Sequence, residues 1–176
     1  MTAQPCSLWL IPSGAVYTEL AALISRLSRS YGTPSFEPHV TLLSGIALAE
    51  PLLFAKTQQL AELISPFQVK LTTVDYQDEY FRCLFIRADP DGALRQANAT
   101  AKVLFERPEE PPYMPHLSLL YGDLPQAKKE EIIAEWGSTF ALEFTVDALY
   151  LISATADRPV ADWRRIARMV VSQRAA

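Results

Sequence analysis

Residues 38–45 read PHVTLLSG and residues 115–122 read PHLSLLYG, and these two stretches hold both histidines of the 176-residue chain. The frames share a proline (Pro38, Pro115), a histidine (His39, His116), a hydroxyl two positions on (Thr41, Ser118), two leucines and a final glycine. Ser44 against Tyr121 is the one mismatch in chemical type. At average residue usage a given histidine acquires such flanks by chance about once in 10^5 trials. The match reports either duplication or shared chemistry. The same 77-residue offset (116 − 39 = 77) carries Cys6 onto Cys83, each beside an apolar run, SLWLI after the first and LFI after the second. Two half-chains repeat one plan.

Working outward from each frame gives the same order of elements twice. In the first half, 6–12 reads as a buried strand and 14–32 as a helix with Leu20, Leu23, Ile24 and Leu27 on one face and Gly32 as its stop. The histidine strand, a helix over 51–65 ended by Pro66, and an alternating strand over 67–76 follow. In the second half, 80–88 reads as a strand, 89–107 as a helix, 116–122 as the second histidine strand, 124–137 as a helix and 140–153 as one long strand. The tail 161–173 fits neither period cleanly, and a strand added to a sheet is the better reading. The expectation is therefore an α+β fold built as a bilobed pseudo-twofold repeat. Each lobe is an antiparallel sheet with helices packed outside, and a central cleft lies between the lobes. Residues 1–176 form a single domain with approximate halves 1–77 and 78–153 and a C-terminal segment 154–176.

Composition narrows the function classes. With 49% apolar residues the chain can bury one well-packed core. No run approaches the ~18 apolar residues a membrane helix needs, and the N-terminus lacks a basic region followed by a cleavage motif. Two cysteines fit a reducing compartment rather than a disulfide scaffold. The expectation is a monomeric cytoplasmic protein without a membrane partner. A net charge of −4 and a pI near 5.2 supply no field to hold a long polyanion, so a small nucleotide or an RNA end is a better partner than a duplex.

Along a strand, side chains two apart share a face, so each histidine points the same way as its hydroxyl. If a pseudo-twofold axis brings the two strands together, one cavity receives two imidazoles and two hydroxyls. Two imidazoles titrating near neutrality can divide proton transfer between a base and an acid, and two hydroxyls can contact the oxygens of a reacting phosphorus. The frames contain no lysine, carboxylate or glycine-rich nest, which disfavours a nucleoside triphosphate site or a glycosidase dyad. A phosphodiester with a good internal leaving oxygen suits the set. Cys6, Cys83, His39 and His116 could also be read as a Cys2His2 zinc set. Widely separated cysteines inside apolar strands are better read as small buried residues. Arg26 with Arg29, Lys128 with Lys129, and Arg164, Arg165 and Arg168 read as solvated faces.

PHVTLLSG and PHLSLLYGD resemble the paired HxT and HxS motifs of the 2H phosphoesterase superfamily. LWLIP, SFEPHVTLLSG, YFRCLF and YMPHLSLLYGD extend the likeness over most of the chain, toward the cyclic phosphodiesterase branch. That branch opens nucleoside 2′,3′-cyclic phosphates and ADP-ribose 1″,2″-cyclic phosphate. The resemblance implies metal-independent catalysis without a cofactor on a small cyclic phosphate nucleotide. It makes His39 and His116 the acid and the base, in that order, and Thr41 and Ser118 the phosphate ligands. It sets Trp9, Phe81 and Tyr121 along the nucleoside side of the cleft, although an aromatic inside an apolar strand is by itself more often core. A 2′,5′-RNA ligase or RNA-end phosphodiesterase of the same superfamily, and a non-catalytic nucleotide-binding module, are the alternatives.

Overall fold

The computed structural model describes residues 4–90, 92–109 and 111–171. Strand β1, Cys6–Leu10, is buried at every position, as an unbroken apolar run requires of a strand covered on both faces. Helix α1, Gly14–Tyr31, sinks Leu20, Ile24 and Leu27, and Gly32 ends it in the left-handed conformation (φ 65°) that glycine adopts most readily. Then come β2, Val40–Ile46; α2, Glu50–Leu63; and β3, Phe67–Asp75. The second half supplies β4, Leu84–Ala88; α3, Gly92–Leu104; β5, His116–Leu120; and α4, Gln126–Trp136. Three strands close the chain: β6, Thr139–Val146; β7, Ala148–Ser153; and β8, Arg164–Val170. Among the described residues no helix is long and apolar enough to cross a membrane.

All pairings are antiparallel, in the order β6-β3-β4-β5-β2-β1-β7-β8. The fold is α+β. Its two antiparallel half-sheets join edge to edge where Val40 of β2 pairs with Leu117 of β5, giving one continuous eight-stranded sheet. The two histidine strands are thus immediate neighbours at the centre. The half-sheets do not follow the sequence halves. Strand β3 leaves the first half to pair with β4, while β7 and β8 return from the end of the chain to extend β1. The helices exchange likewise, α1 packing on β5 and α3 on β2.

Three element assignments differ from the sequence reading. The long strand over 140–153 is two strands divided at Asp147, because β6 completes the half-sheet around β3 and β7 the half-sheet around β1. The run 80–88 begins as a 3-10 turn, Tyr80–Arg82, fixed by Arg82 N–H on Glu79 O (2.9 Å) and Gly122 N–H on Tyr80 O (2.9 Å). The tail is a strand through Val170, after a second 3-10 turn at Val160–Asp162; positions 172–173 of the predicted segment lie outside the described residues.

Candidate active site

The letters shared by the two frames have matching structural reasons. A residue that precedes proline is biased to extended backbone, and this bears on Glu37 and Met114, which stand before Pro38 and Pro115. The carbonyl of each accepts the Nδ1–H of the histidine two residues on: Glu37 O lies 2.6 Å from His39 Nδ1 and Met114 O lies 2.9 Å from His116 Nδ1. A carbonyl only accepts, so each ring carries its proton on Nδ1 and keeps a basic Nε2. The closing glycines take positive φ, 66° at Gly45 and 155° at Gly122, where a side chain would be strained. Leu42 and Leu119, directly after the hydroxyls, are buried in the core as strand alternation requires.

A cavity of about 460 Å³ is lined by all seven sequence-predicted residues: His39, His116, Thr41, Ser118, Trp9, Phe81 and Tyr121. Trp9 pairs with Thr41 across β1 and β2, and its ring lies flat on His39, with centroids 3.4 Å apart and an interplanar angle of 5°. Ser118 donates its hydroxyl to Phe81 O at 3.0 Å, which ties β5 to the 3-10 turn. Tyr121 stacks on Phe36 at 3.7 Å, and burial raises its phenol far above the ordinary range.

The two imidazoles sit in different fields. Burial pushes His39 down to about 4, helped by the neighbouring His116 and opposed by the Glu37 carbonyl. Burial also lowers His116, and Arg82 and Arg87 add to the effect. His39 is braced from behind: Arg165 on β8 clasps the Glu37 carboxylate through two nitrogens, and Tyr17 donates to it at 3.0 Å.

Arg165 therefore does more than decorate a solvated face. Lys129 departs further from that expectation. It is 2% exposed and donates to Gln77 O and Asp78 Oδ1, both at 2.8 Å, anchoring the segment that leads into Phe81. Sequence reasoning also missed Arg82 and Trp163, both in the cavity wall. A strand would have sent Arg82 and Phe81 to opposite faces, whereas a 3-10 turn lets both reach the cleft. Trp163 falls in the tail where neither periodicity was clean. Cys6 and Cys83 are free buried thiols, and among the described residues no group of three or more His, Cys, Asp or Glu side chains is placed to hold a metal ion.

The family model described as "Cyclic phosphodiesterase-like protein" matches residues 4–171. The chain is similar to a cyclic phosphodiesterase of Arabidopsis thaliana, 25% identical over 166 residues that cover 92% of each chain. It is also similar to a 2′,3′-cyclic-nucleotide 3′-phosphodiesterase of Neurospora crassa, 28% identical over 213 residues, 94% of this chain and 98% of that one. Among solved structures, E. coli LigT complexed with 3′-AMP superimposes with a TM-score of 0.63 at 15% identity, covering 98% of this chain and 100% of that chain. The fold is shared at that distance.

Proposed function

We propose that this chain, which belongs to the cyclic phosphodiesterase-like family and is a phosphodiesterase, hydrolyses nucleoside 2′,3′-cyclic phosphates to 2′-phosphates and ADP-ribose 1″,2″-cyclic phosphate to the 1″-phosphate, without a metal ion. The observation that carries this reading is the pair of imidazoles, each locked through Nδ1 to the carbonyl two residues before it, lining one cavity with Thr41 and Ser118.

Water attacks the ring phosphorus in line with the bond to the departing ribose oxygen. One Nε2 removes the water proton as the new P–O bond forms, and the other imidazolium protonates the ribose oxygen as the old bond breaks. The pair ends with its proton on the opposite ring. The anionic phosphate supplies part of the drive, because a negative charge in the cavity raises both depressed imidazoles toward the protonated form. Thr41 and Ser118 hold the non-bridging oxygens. Ser118 does so by turning its hydrogen from the Phe81 carbonyl to the phosphate.

The deeper burial of His39 favours the neutral state there and leaves the single proton of the active form on His116. That supports His39 as base and His116 as acid, the reverse of the order implied by the resemblance. The protein is proposed to act as a cytoplasmic monomer on small substrates.

Phosphorus NMR of the products from 2′,3′-cyclic AMP and from ADP-ribose 1″,2″-cyclic phosphate, in excess EDTA, tests the reading. The expected products are the 2′- and 1″-phosphates at an undiminished rate. Activity abolished by EDTA and restored by Zn²⁺ would replace it with metal-assisted hydrolysis.

A further inference from the structure

Glu37 stands one position before the shared frame, and its counterpart at the 77-residue offset is Met114. Both present a backbone carbonyl to the Nδ1–H of the histidine two residues on, but their side chains are held very differently. Met114 meets Gln77 Nε2 through its Sδ at 3.9 Å, and a thioether is a weak acceptor. The Glu37 carboxylate takes three donors from two other elements: Arg165 Nε on β8 at 2.9 Å, Arg165 Nη2, and the Tyr17 hydroxyl on α1 at 3.0 Å. Residues 32–39 lie between α1 and β2 and belong to neither, so no helix or ladder of its own fixes the Glu37 carbonyl. Tyr17 and Tyr150 pack on the small apolar cluster that contains Trp9, the ring covering His39, and the Arg165 guanidinium lies 4.9 Å over Tyr150. The two supports of the His39 ring, the Trp9 face and the Glu37 carbonyl, thus end on one cluster.

We infer that Arg165 and Tyr17 are positioning residues for the reaction: by holding the Glu37 carboxylate from β8 and α1, they fix the Glu37 carbonyl that takes the Nδ1–H of His39, and so aim Nε2. The inference rests on the proposed paired-histidine activity and adds to it two residues that act through a third. Neither is among the residues that line the catalytic cavity. With its side chains 49% and 22% exposed, the Arg165–Glu37 pair contributes little to stability. It is directional all the same, because a planar guanidinium meets a carboxylate through two N–H groups at once and fixes its plane. The third donor, Tyr17, removes the freedom that a single ion pair leaves. A general base must stay within hydrogen-bond reach of the attacking water, so a swing of the Glu37 segment reaches the reaction even though no contact with substrate is lost. Met114 carries no such tether, which makes the device specific to the first histidine.

The test measures kcat and KM for 2′,3′-cyclic AMP in the wild type, Arg165→Ala and Arg165→Lys, and repeats the Arg165→Ala step in a His39→Ala background. Arg165→Ala should lower kcat by about 10- to 100-fold with KM little changed, and Arg165→Lys, which keeps the charge without the fork, should recover part of the loss. In the His39→Ala background the same substitution should have no further effect, because the ring it aims is gone. An equal loss in both backgrounds, or an unchanged kcat in Arg165→Ala, would make Arg165 a structural residue and overturn the inference. If Arg165→Ala does not fold, Tyr17→Phe removes one donor, keeps the packed ring, and is judged by the same two-background comparison. A second readout needs no turnover: the Nδ1–H proton resonance of His39 in the substrate-free protein, identified by its loss in His39→Gln. Its exchange with water should quicken by about 10-fold or more in Arg165→Ala, while that of His116 stays as in the wild type. A wild type that leaves cyclic AMP intact overturns the proposed activity, and the exchange rates then decide the inference alone: quickened exchange at His39 supports it, and unchanged exchange overturns it.

Discussion

His39 and His116 occupy the same frame, carry the same Nδ1 lock and line the same cavity, yet their surroundings differ. His39 is buried under the full face of Trp9, whereas His116 is half-buried and meets Phe85 at 5.0 Å with its ring tilted by 59°. Behind His39 stands a carboxylate held by Arg165 and Tyr17. Beside His116 lie the cations Arg82 and Arg87. The shared letters set tautomer and direction. Neighbours outside the frame act on proton affinity: burial lowers both rings, His116 adds to the effect at His39, and Arg82 and Arg87 add to it at His116.

The sharpest way to break the comparison is to delete one ring at a time. His39→Ala and His116→Ala should each lower kcat by about 10²- to 10⁴-fold, and the double variant should be far less than multiplicatively worse, because the rings act as a unit. Catechol cyclic phosphate has a better leaving oxygen than ribose and bypasses the acid. It should recover more activity in His116→Ala than in His39→Ala, and the opposite recovery would restore the order implied by the resemblance.

Acid stability separates the two sites next. A histidine whose folded value lies below its unfolded value stabilises the fold above pH 6.5, and that stability is lost as pH falls from 6.5 toward about 4, because the unfolded chain binds the proton first. For His39 the loss is on the order of 3 kcal/mol across that window. Denaturant midpoints should fall between pH 6.5 and 4 in the wild type and fall less steeply in His39→Gln. Parallel slopes would show that His39 titrates normally.

The hydroxyls give the smallest contrast. If the hydroxyls hold the phosphate as proposed, Thr41→Ala and Ser118→Ala should each lose one hydrogen bond to a charged oxygen, about 10- to 150-fold in kcat/KM. Thr41→Ala should act on kcat. Ser118→Ala also frees the Phe81 carbonyl and should raise KM for base-bearing substrates as well. Identical kinetic signatures would mean that the Ser118–Phe81 bond has no bearing on the nucleoside side of the site.

The central strands, and the convergence of His39, His116, Thr41 and Ser118 on one cavity, were legible because each depended on local chemistry: period-two alternation, a proline before each histidine, a glycine at each end. What the letters concealed was long-range. Nothing in FALEFTVDALYLIS distinguishes one strand from two, since the division at Asp147 exists only because β3 and β1 lie in different half-sheets. YFRCLF has the composition of a strand, and its first three residues form a 3-10 turn held by Arg82 N–H on Glu79 O and by docking of Gly122 onto Tyr80. Lys129 sits on a helix whose charged residues are mostly exposed, and its burial follows from the position of the Gln77 carbonyl, 52 residues away. Trp163 reaches the cavity wall by packing against three aromatics that the sequence scatters over more than a hundred residues.

The exchange of strands between the half-sheets also sets how the molecule comes into being. Ser7 in the first strand donates its hydroxyl to Ala154 O, a partner 147 positions away, and β1 completes its ladder only against β7. Closing so long a loop is entropically costly before any contact rewards it, so folding is expected to be slow and cooperative. During synthesis the first strand, once paired with β2, keeps its other edge open until β7 has left the ribosome. A chain cut before Ala148 keeps both histidine motifs and the β1–β2 pairing but leaves the other edge of β1 open, so the appearance of catalytic activity is expected to follow the arrival of β7.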